Sequence, residues 1–399
     1  MPDTTSMKKL SAVMSTYSRF PITVTKGKGS YMWDDVGEKY LDYTSGIATC
    51  NLGHCPDSVQ LALHEQVDQL WHSSNLYHIP QQTQLAEKLT AVSCFDQAFF
   101  CNSGAEANEA AIKLAKKYAH DHQLTHKNQI VSFTSSFHGR TGTTMAATAQ
   151  SKIHQGFAPL TPGFHYCEFN DQEAIEGIDY DTTIAVILEL IQGEGGVRQA
   201  NKEWVQTLVS KCKQHNVLVI IDEIQTGMGR TGAMFAYEHY DIEPDIITLA
   251  KGLGSGIPVG AMLAKQHVSQ SFQPGTHGST FGGNPLAMTA GIATLNTLTT
   301  DHILANVVQL SSILFKELEK MKKSIDQIEE VRGLGFLIGI QFSHEVSPLV
   351  KKLRDKNILC LIAGPKVLRI LPPLNTTEVE INVFVTALKN ILTDQEDAS

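Results

Sequence analysis

Through the middle of the chain, short runs of apolar residues alternate with longer segments in which apolar residues recur every three or four positions. The short runs are rich in β-branched residues and predict strands at residues 98–101, 129–133, 184–188, 217–221, 246–249 and 261–263. The longer segments predict helices at residues 106–122, 204–215 and 285–298. Because strands alternate with helices in this way, the pattern predicts an α/β fold with a mostly parallel central sheet.

The C-terminal part of the chain follows a different pattern. An amphipathic helix is predicted at about residues 303–321, and an apolar segment that contains glycine follows at residues 333–340. We interpret this part as a smaller α+β domain, which the N-terminal segment joins. The predicted division is an N-terminal segment of residues 1–54, a large domain of residues 55–288 and a small domain of residues 289–399.

Composition and charge exclude several classes of protein. The 399 residues include 32 Lys and Arg against 41 Asp and Glu, a formal net charge of −9, whereas sequence-independent binding of nucleic acid needs a basic face. Seven cysteines without a Cys-x-x-Cys pair are typical of reduced thiols in the cytoplasm. No apolar run reaches the roughly 18 residues of a membrane-spanning helix, and residues 1–14 lack the apolar region of a secretory signal. We therefore expect a cytoplasmic protein that binds neither nucleic acid nor membrane.

Three histidines, His120, His122 and His126, lie close together at a polar helix end. Solvation accounts for such residues, and no carboxylate and cysteine companions complete a set of metal ligands around them. We expect no metal site.

A serine–glycine turn joins the strand predicted at residues 98–101 to the helix that follows. Ser103, Gly104 and Ala105 stand where free backbone N–H groups and the helix dipole converge, which makes a site for an anion. An ordinary helix cap is the alternative, because serine and glycine are common at any helix start.

Two carboxylates, Asp222 and Glu223, end the buried strand predicted at residues 217–221. In open α/β sheets, ligands bind at this edge, and a buried carboxylate needs a partner. A magnesium ion or a protonated ring nitrogen would serve as that partner; a structural cap is the remaining alternative.

Lys251 stands at the end of the apolar strand predicted at residues 246–249. A lysine in this position either extends its ammonium group to solvent or is reactive. Desolvation lowers the pKa of a lysine, which suits Schiff-base chemistry. The glycine-rich run at residues 252–256 resembles a dinucleotide loop, but Pro258 interrupts the helix that such a loop requires.

Together, these positions supply a phosphate anchor, an acidic partner for a ring nitrogen and a reactive amine, in the order that pyridoxal 5′-phosphate requires. Further characteristic runs lie at residues 42–48, 51–54, 72–77, 99–110, 136–141, 192–196, 222–227, 249–252, 278–286 and 367–372. Over nearly its whole length the sequence thus resembles the class III aminotransferases, and among them the acetylornithine aminotransferase family. The resemblance implies a large pyridoxal-phosphate-binding domain of the aspartate-aminotransferase type, with a smaller α+β domain.

The resemblance also implies the roles of the residues that contact the cofactor. Lys251 would hold the cofactor covalently and then act as general acid and base. Asp222 would bind the pyridine nitrogen and Gln225 the phenolic oxygen.

The phosphate and the ring face are assigned in the same way. Ser103, Gly104 and Ala105 would bind the phosphate, and Phe137 would stack on the ring. Thr280 would reach the phosphate of the neighbouring subunit's cofactor, so that a homodimer with shared active sites is the minimal active unit. A plain core position for Phe137 and a loop cap for Thr280 are the alternatives.

Four residues are assigned to the substrates by the resemblance: Arg140, Ser279, Glu194 and Arg369. Arg140 would bind the distal carboxylate of either substrate, and Arg369 the α-carboxylate of glutamate, each through a planar guanidinium. Glu194 would pair with Arg369 until glutamate arrives, because an unpaired buried arginine is costly. A surface ion pair, the alternative for Arg369, is disfavoured by the apolar residues around it.

Ile47 narrows the choice of amine donor. Ornithine aminotransferases typically carry a tyrosine there to hold the charged α-amino group, whereas an isoleucine suits an acetylated amine. The resemblance therefore implies transfer of the δ-amino group of N2-acetyl-L-ornithine to 2-oxoglutarate, which gives N-acetyl-L-glutamate 5-semialdehyde and glutamate for arginine biosynthesis. Succinylornithine, ornithine or 4-aminobutyrate as the donor remain alternatives, as does a mutase or racemase reaction.

Overall fold

The computed structural model describes residues 12–393 and contains the predicted alternation of strands and helices. The strands are β1 Val24–Lys28, β2 Tyr31–Asp34, β3 Lys39–Asp42, β4 Gln97–Cys101, β5 Gln129–Phe133, β6 Phe164–Cys167, β7 Thr183–Leu188, β8 Ile191–Gln192, β9 Arg198–Gln199, β10 Leu218–Asp222, β11 Ile246–Leu249, β12 Gly260–Ala264, β13 Ile328–Leu334, β14 Leu337–Phe342, β15 Ile358–Leu359, β16 Leu361–Ile362 and β17 Val367–Ile370. The α-helices are α1 Ser45–Ala48, α2 Asp57–Val67, α3 Pro80–Ala91, α4 Gly104–Asp121, α5 Gly142–Ala147, α6 Ser151–His154, α7 Gln172–Glu176, α8 Lys202–Gln214, α9 Gln266–Ser269, α10 Pro285–Thr300, α11 Ile303–Ser324, α12 Ser347–Asp355 and α13 Glu378–Thr393.

A seven-stranded sheet forms the centre of the α/β part, in the order β4-β12-β11-β10-β7-β5-β6. Strand β12 is antiparallel to both of its neighbours, whereas the pairings from β11 across to β6 are all parallel. The prediction of a mostly parallel central sheet is confirmed.

The central strands formed where the sequence predicted them, because parallel strands covered on both faces are nearly continuous apolar runs. Every residue of β7 and of β10 is buried. Strand β6 was not predicted. It lies at the sheet edge, and its sequence Phe-His-Tyr-Cys is half exposed and contains no apolar run.

Helix α4 packs on the central sheet through a face of small residues. Ala107, Ala110, Ala111 and Leu114 are buried on that face, and the helix contacts β11 and β12. Small side chains allow the helix backbone to approach the strands closely. The N-terminus of α4 is thereby held beside the ends of the central strands.

The C-terminal part forms an antiparallel sheet in the order β13-β14-β17-β16. A separate sheet has the order β1-β2-β3-β15, in which β3 pairs in parallel with β15. This pairing ties the N-terminal segment to the C-terminal part. The domain boundaries at residues 54 and 288 stay predictions, and the second of them lies within α10.

Arg230 joins three separate segments of the chain. Its side chain is fully buried; it donates from Nη1 to the carbonyl oxygens of Phe336 and Pro372 and from Nη2 to Asn51 Oδ1 at 2.7 Å. Asn51 in turn donates to the carbonyl oxygen of Met228 at 2.8 Å. Burial lowers the pKa of Arg230 to about 9. Backbone and amide oxygens thus hold a buried cation at the meeting point of these segments.

Within residues 12–393, none of the helices offers an apolar stretch long enough to cross a bilayer.

Candidate active site

A cavity of about 460 Å³ opens at the carboxyl ends of the central strands, the edge where ligands bind in open α/β sheets. Most of the predicted site residues line this cavity, although they come from widely separated parts of the sequence. Those that line it are Ser103, Gly104, Ala105, Phe137, Arg140, Asp222, Gln225 and Lys251.

Asp222 is the last residue of β10, and hydrogen bonds fix both of its carboxylate oxygens. Oδ2 accepts from Asn108 Nδ2 and from His138 Nδ1, both at 2.8 Å, and Oδ1 accepts from the Ile224 backbone N–H at 3.1 Å. The carboxylate is only 3% exposed and faces the cavity. It is therefore rigidly oriented, as a partner for a ligand atom must be.

Asn108 and His138 were missed as site residues by sequence reasoning. The amide of Asn108 also donates to the His138 carbonyl oxygen at 2.8 Å and accepts from Thr248 Oγ1 at 2.7 Å. Both residues stand in runs that carried the family resemblance, and that was the available signal for them. Their burial could not be read from the local sequence.

Lys251 follows β11 and extends into the cavity. Its backbone has φ 38°, a strained value that tends to occur at functional sites. Burial lowers the pKa of the Lys251 ammonium, and the nearby Glu194 carboxylate partly opposes that shift. No hydrogen bond to this ammonium occurs among the residues that the structure describes. The amine is thus available to a ligand.

Helix α4 presents its N-terminus to the same cavity. The Ser103 hydroxyl accepts from the Glu106 backbone N–H at 3.2 Å, so Ser103 caps the helix. The backbone N–H groups of Gly104 and Ala105 have no acceptor within residues 12–393. At Gly104 a Cβ would lie 2.7 Å from Ile224 Cδ1, so any larger residue there would require the Ile224 side chain to move. The free N–H groups form a cradle for an anion.

Phe137 and Arg140 line the cavity from the loop after β5. The Phe137 backbone N–H donates to Glu189 Oε1 at 2.9 Å, and its half-buried ring contributes an aromatic face. The Arg140 guanidinium is exposed and lies 5.8 Å from the centre of that ring. It can therefore reach a carboxylate at the mouth of the cavity.

Glu189 directly follows β7 and was not predicted as a site residue. Its side chain is 6% exposed and lines the cavity. Burial raises the pKa of Glu189 to about 7, against the opposing effect of His138. Its second oxygen, Oε2, accepts from the Gly193 backbone N–H at 3.3 Å.

Arg369 lies just outside the lining of the cavity and is joined to it through Gln225. Its Nη1 donates to Glu194 Oε1 at 2.6 Å, to the Gly193 carbonyl oxygen at 2.9 Å and to Gln225 Oε1 at 3.2 Å. Burial disfavours ionisation of Glu194, but the charge of Arg369 and its hydrogen bond outweigh that effect and lower the Glu194 pKa. Because Arg369 is 2% exposed, it is not a surface ion pair.

Ser279 and Thr280 lie in a loop beside the cavity and do not line it. The Ser279 hydroxyl accepts from Asn102 Nδ2 at 3.2 Å and from the Gly282 backbone N–H at 3.0 Å, and Asn102 lines the cavity. Thr280 is exposed. The structure therefore brings Ser279 close to the site of its own chain and leaves Thr280 facing outward.

The donor set suits pyridoxal 5′-phosphate. A cradle of free backbone N–H groups matches the phosphate, and Asp222 matches the ring nitrogen. An amine without a partner matches the aldehyde, and an aromatic side chain can cover the ring. Each feature is observed here independently of the motifs that predicted it.

Comparison with known proteins agrees with this geometry. The family model for "Aminotransferase class-III" matches residues 12–392. The chain is 61% identical to an acetylornithine aminotransferase of Oceanobacillus iheyensis, over 96% of each chain. An N-acetylornithine aminotransferase from Stenotrophomonas maltophilia is 36% identical to this chain in sequence. Its crystal structure matches with a TM-score of 0.83 and covers 96% of this chain and 98% of that one. An ornithine aminotransferase of Toxoplasma gondii is 30% identical, with a TM-score of 0.93 over 97% and 94%. The chain therefore belongs to the class III aminotransferases.

Proposed function

We propose that the enzyme moves the δ-amino group of N2-acetyl-L-ornithine to 2-oxoglutarate, giving N-acetyl-L-glutamate 5-semialdehyde and L-glutamate, a step of arginine biosynthesis. The names of its relatives from O. iheyensis and S. maltophilia support this choice of donor. The observation that carries the proposal is the pair of Glu194 and Arg369 at 2.6 Å beside the cavity.

The pair lets one cavity accept two unlike donors in turn. While Glu194 neutralises Arg369, the site suits a donor whose reacting amine stands on an uncharged methylene. When Glu194 leaves, Arg369 can bind the α-carboxylate of glutamate through its guanidinium. Without Glu194, a buried arginine would stand unpaired in the first of these states, which is costly.

Class III aminotransferases use pyridoxal 5′-phosphate, which when bound supplies the aldehyde that takes up the amino group and a ring that withdraws electrons. We assign Lys251 as the point of attachment and as the general acid and base that moves a proton at the reacting carbon. Burial lowers the Lys251 pKa and so favours the neutral amine that both roles need.

The other cofactor contacts are assigned from the cavity lining. Asp222, held by Asn108 and His138, would keep the ring nitrogen protonated, and Gln225 would bind the phenolic oxygen. Phe137 would cover the ring.

The phosphate is assigned to the N-terminus of α4. Gly104 and Ala105 would donate their free backbone N–H groups to it. Ser103 would keep that end of the helix in shape through its cap on the Glu106 backbone N–H.

Three further residues are assigned to the substrates. Arg140 would bind the distal carboxylate of either donor. Ser279 would contribute from the edge of the cavity, where it accepts from Asn102. Ile47 lies two residues from Thr49, which lines the cavity, and is 44% exposed. By the family resemblance, an aliphatic side chain at position 47 supports an acylated amine over the free ammonium group of ornithine.

Half-reactions of the purified holoenzyme test the proposal. Each candidate donor is mixed with the enzyme in a single turnover, and the absorbance of the cofactor reports amino transfer. We expect fast conversion with N-acetylornithine and with glutamate, and slow conversion with ornithine and 4-aminobutyrate. Faster conversion with ornithine or succinylornithine would refute the assignment of the donor, and absence of conversion with glutamate would exclude this type of transamination.

We also propose that two copies of the chain form a homodimer with shared active sites. Large apolar side chains are exposed on residues 71–77 and in the loop that carries Ser279 and Thr280: Trp71 is 62%, Leu76 88%, Tyr77 69% and Phe281 61% exposed. Exposed apolar surface of this kind marks a protein interface.

Hydrogen bonds and a ring contact connect these two segments. Asn75 Nδ2 donates to the Ser279 and Gly282 carbonyl oxygens, both at 2.9 Å. His72 lies 5.2 Å from the ring of Phe281. Thr280 is exposed on this same surface, which supports a role for it in the partner's site.

Complementation between two inactive variants tests the shared site. In a mixed dimer of Lys251→Ala and Thr280→Asp chains, one site carries both defects and the other carries neither. Random pairing makes about half of the dimers mixed, so we expect about a quarter of the wild-type activity. Mixtures no more active than the two variants alone would show that Thr280 does not serve a partner's site.

A further inference from the structure

Glu189 receives a hydrogen bond from each of two loops that face the cavity. Oε1 accepts from the backbone N–H of Phe137, at 2.9 Å, in the loop after β5. Oε2 accepts from the backbone N–H of Gly193, at 3.3 Å, in the loop that carries Glu194. One carboxylate therefore spans both loops, which the hydrogen bond from Gln192 Nε2 to the Thr134 carbonyl oxygen at 2.9 Å also links.

The position of Glu189 makes it a rigid support for both loops. It directly follows β7, all of whose residues are buried and which pairs with β10 on one side and β5 on the other. A side chain that is anchored in the middle of a sheet and bound at both oxygens has few alternative positions.

The backbone of Gly193 extends this link to Arg369. Its N–H binds Glu189, and its carbonyl oxygen accepts from Arg369 Nη1 at 2.9 Å. The Cα of Gly193 packs so tightly on Gln225 that a Cβ would lie 2.2 Å from Gln225 Oε1. The loop is thus held through both backbone polar groups of one residue.

We propose that Glu189 is a positioning residue that locks the Phe137 loop to the Gly193–Glu194 loop. The Phe137 ring and the Glu194–Arg369 pair thereby keep a fixed position relative to each other. This inference rests on the proposed function, which assigns the Glu194–Arg369 pair to the exchange between the two donors. Glu189 neither binds substrate nor transfers a proton in this role. It sets how well the cofactor and glutamate are held.

Two variants separate the bridge from the charge of Glu189. Glu189→Gln keeps the size of the side chain, but only one of its two terminal atoms can accept a hydrogen bond. Glu189→Asp keeps the charge but is one methylene shorter, so it cannot reach both amides. If the bridge is what matters, both variants fail in the same way; if the charge matters, the aspartate is harmless.

Glu223 offers a matched control. It is 1% exposed, and burial raises its pKa to about 7, as for Glu189. Its two oxygens accept from the Thr226 hydroxyl and the Tyr237 backbone N–H, and it does not line the cavity. Glu223→Gln therefore disturbs a buried carboxylate of the same kind whose side chain does not face the cavity.

Three measurements on each variant test the lock. Hydrogen exchange of the holoenzyme reports protection of the segments that contain Phe137 and Gly193. Titration of the apoenzyme with cofactor gives its apparent affinity, and single turnovers with glutamate give a KM and a rate for that half-reaction. For both Glu189 variants we expect lost protection in both segments and about tenfold weaker cofactor and glutamate binding, the effect of about one charge-assisted hydrogen bond. We expect none of these changes in Glu223→Gln.

Lost protection in only one segment, or weaker binding of only one ligand, would refute the proposed lock. A Glu189→Asp variant that behaves like the wild type would refute it too. If neither Glu189 variant folds where Glu223→Gln does, Glu189 is a stability residue and the proposal fails. Exchange and cofactor affinity need no amine donor. If the wild-type enzyme converts glutamate but not N-acetylornithine, the proposed donor is refuted, whereas the inference about Glu189 is unaffected.

Discussion

Removal of the Arg369 guanidinium should separate the two halves of the reaction. In Arg369→Ala, the α-carboxylate of glutamate loses its anchor, whereas N-acetylornithine offers no carboxylate to that position. The side chain is 2% exposed, so water cannot take its place as it would at a surface site. Glu194 keeps a route to solvent, since its side chain is 32% exposed, and the variant is therefore expected to fold.

The contacts of Arg369 set the size of the effect on each side. Truncating one member of a buried, hydrogen-bonded charge pair costs about 2–5 kcal/mol, which is about 30-fold to several thousandfold. That loss falls on glutamate and 2-oxoglutarate. N-acetylornithine has no carboxylate for Arg369, so for this donor the substitution removes only the contacts of Arg369 with Gly193, Glu194 and Gln225. Of these three residues only Gln225 lines the cavity, and loss of its hydrogen bond costs about 0.5–1.5 kcal/mol or roughly 2- to 13-fold. The two ranges do not overlap.

Single-turnover rates for each half-reaction, read from cofactor absorbance, measure this ratio. Arg140→Ala is the first control and should slow both half-reactions, because both donors present a distal carboxylate. Arg332→Ala is the second control. Arg332 lies outside the cavity lining and donates to the Gly196 carbonyl oxygen at 2.9 Å, so this variant disturbs the loop that carries Glu194 without removing Arg369. Equal losses of rate in the two half-reactions of Arg369→Ala would refute the exchange role of the Glu194–Arg369 pair and leave Arg369 as a structural residue.

Three other predictions concern the reacting groups and the pH dependence of stability. Lys251→Ala should abolish turnover and leave a folded protein by circular dichroism; substantial transamination without an added amine would contradict its assignment. Asp222→Asn should retain most of its affinity for the cofactor but lose catalysis, because a neutral amide cannot hold the ring nitrogen protonated; rates within a few-fold of the wild type would show that Asp222 only orients its neighbours. The hydrogen bond to Asp42 raises the pKa of His54 to about 10, above its ordinary value of 6.5, so the stability that this pair adds is complete below pH 6.5 and is lost as the pH rises to about 10. The difference in unfolding free energy between the wild type and His54→Gln, measured in denaturant from pH 6 to 10, should shrink accordingly, and a constant difference would exclude the ion pair as its cause.

The parts that the sequence predicted well are those in which local pattern and environment coincide. Strands β7 and β10 are apolar along their length because they are buried on both faces. Lys251 and Asp222 could be predicted as site residues because they stand at the ends of such strands. Glu189 could not be predicted in this way, since a lone glutamate after a strand gives no sign that two distant backbone amides meet it. Likewise, the contacts of His138 with Asp222 join residues 84 positions apart, and only the folded sheet brings them together.

Arg230 makes the middle of the chain dependent on both of its ends. Its acceptors on Asn51, Phe336 and Pro372 all lie outside residues 55–288. A fragment of those residues would lack all three of these acceptors, and the segments that bury the guanidinium in the full chain would be missing as well. Chimaeras built by recombination must inherit the two flanking segments from the same parent as Arg230, or supply equivalent acceptors in their place.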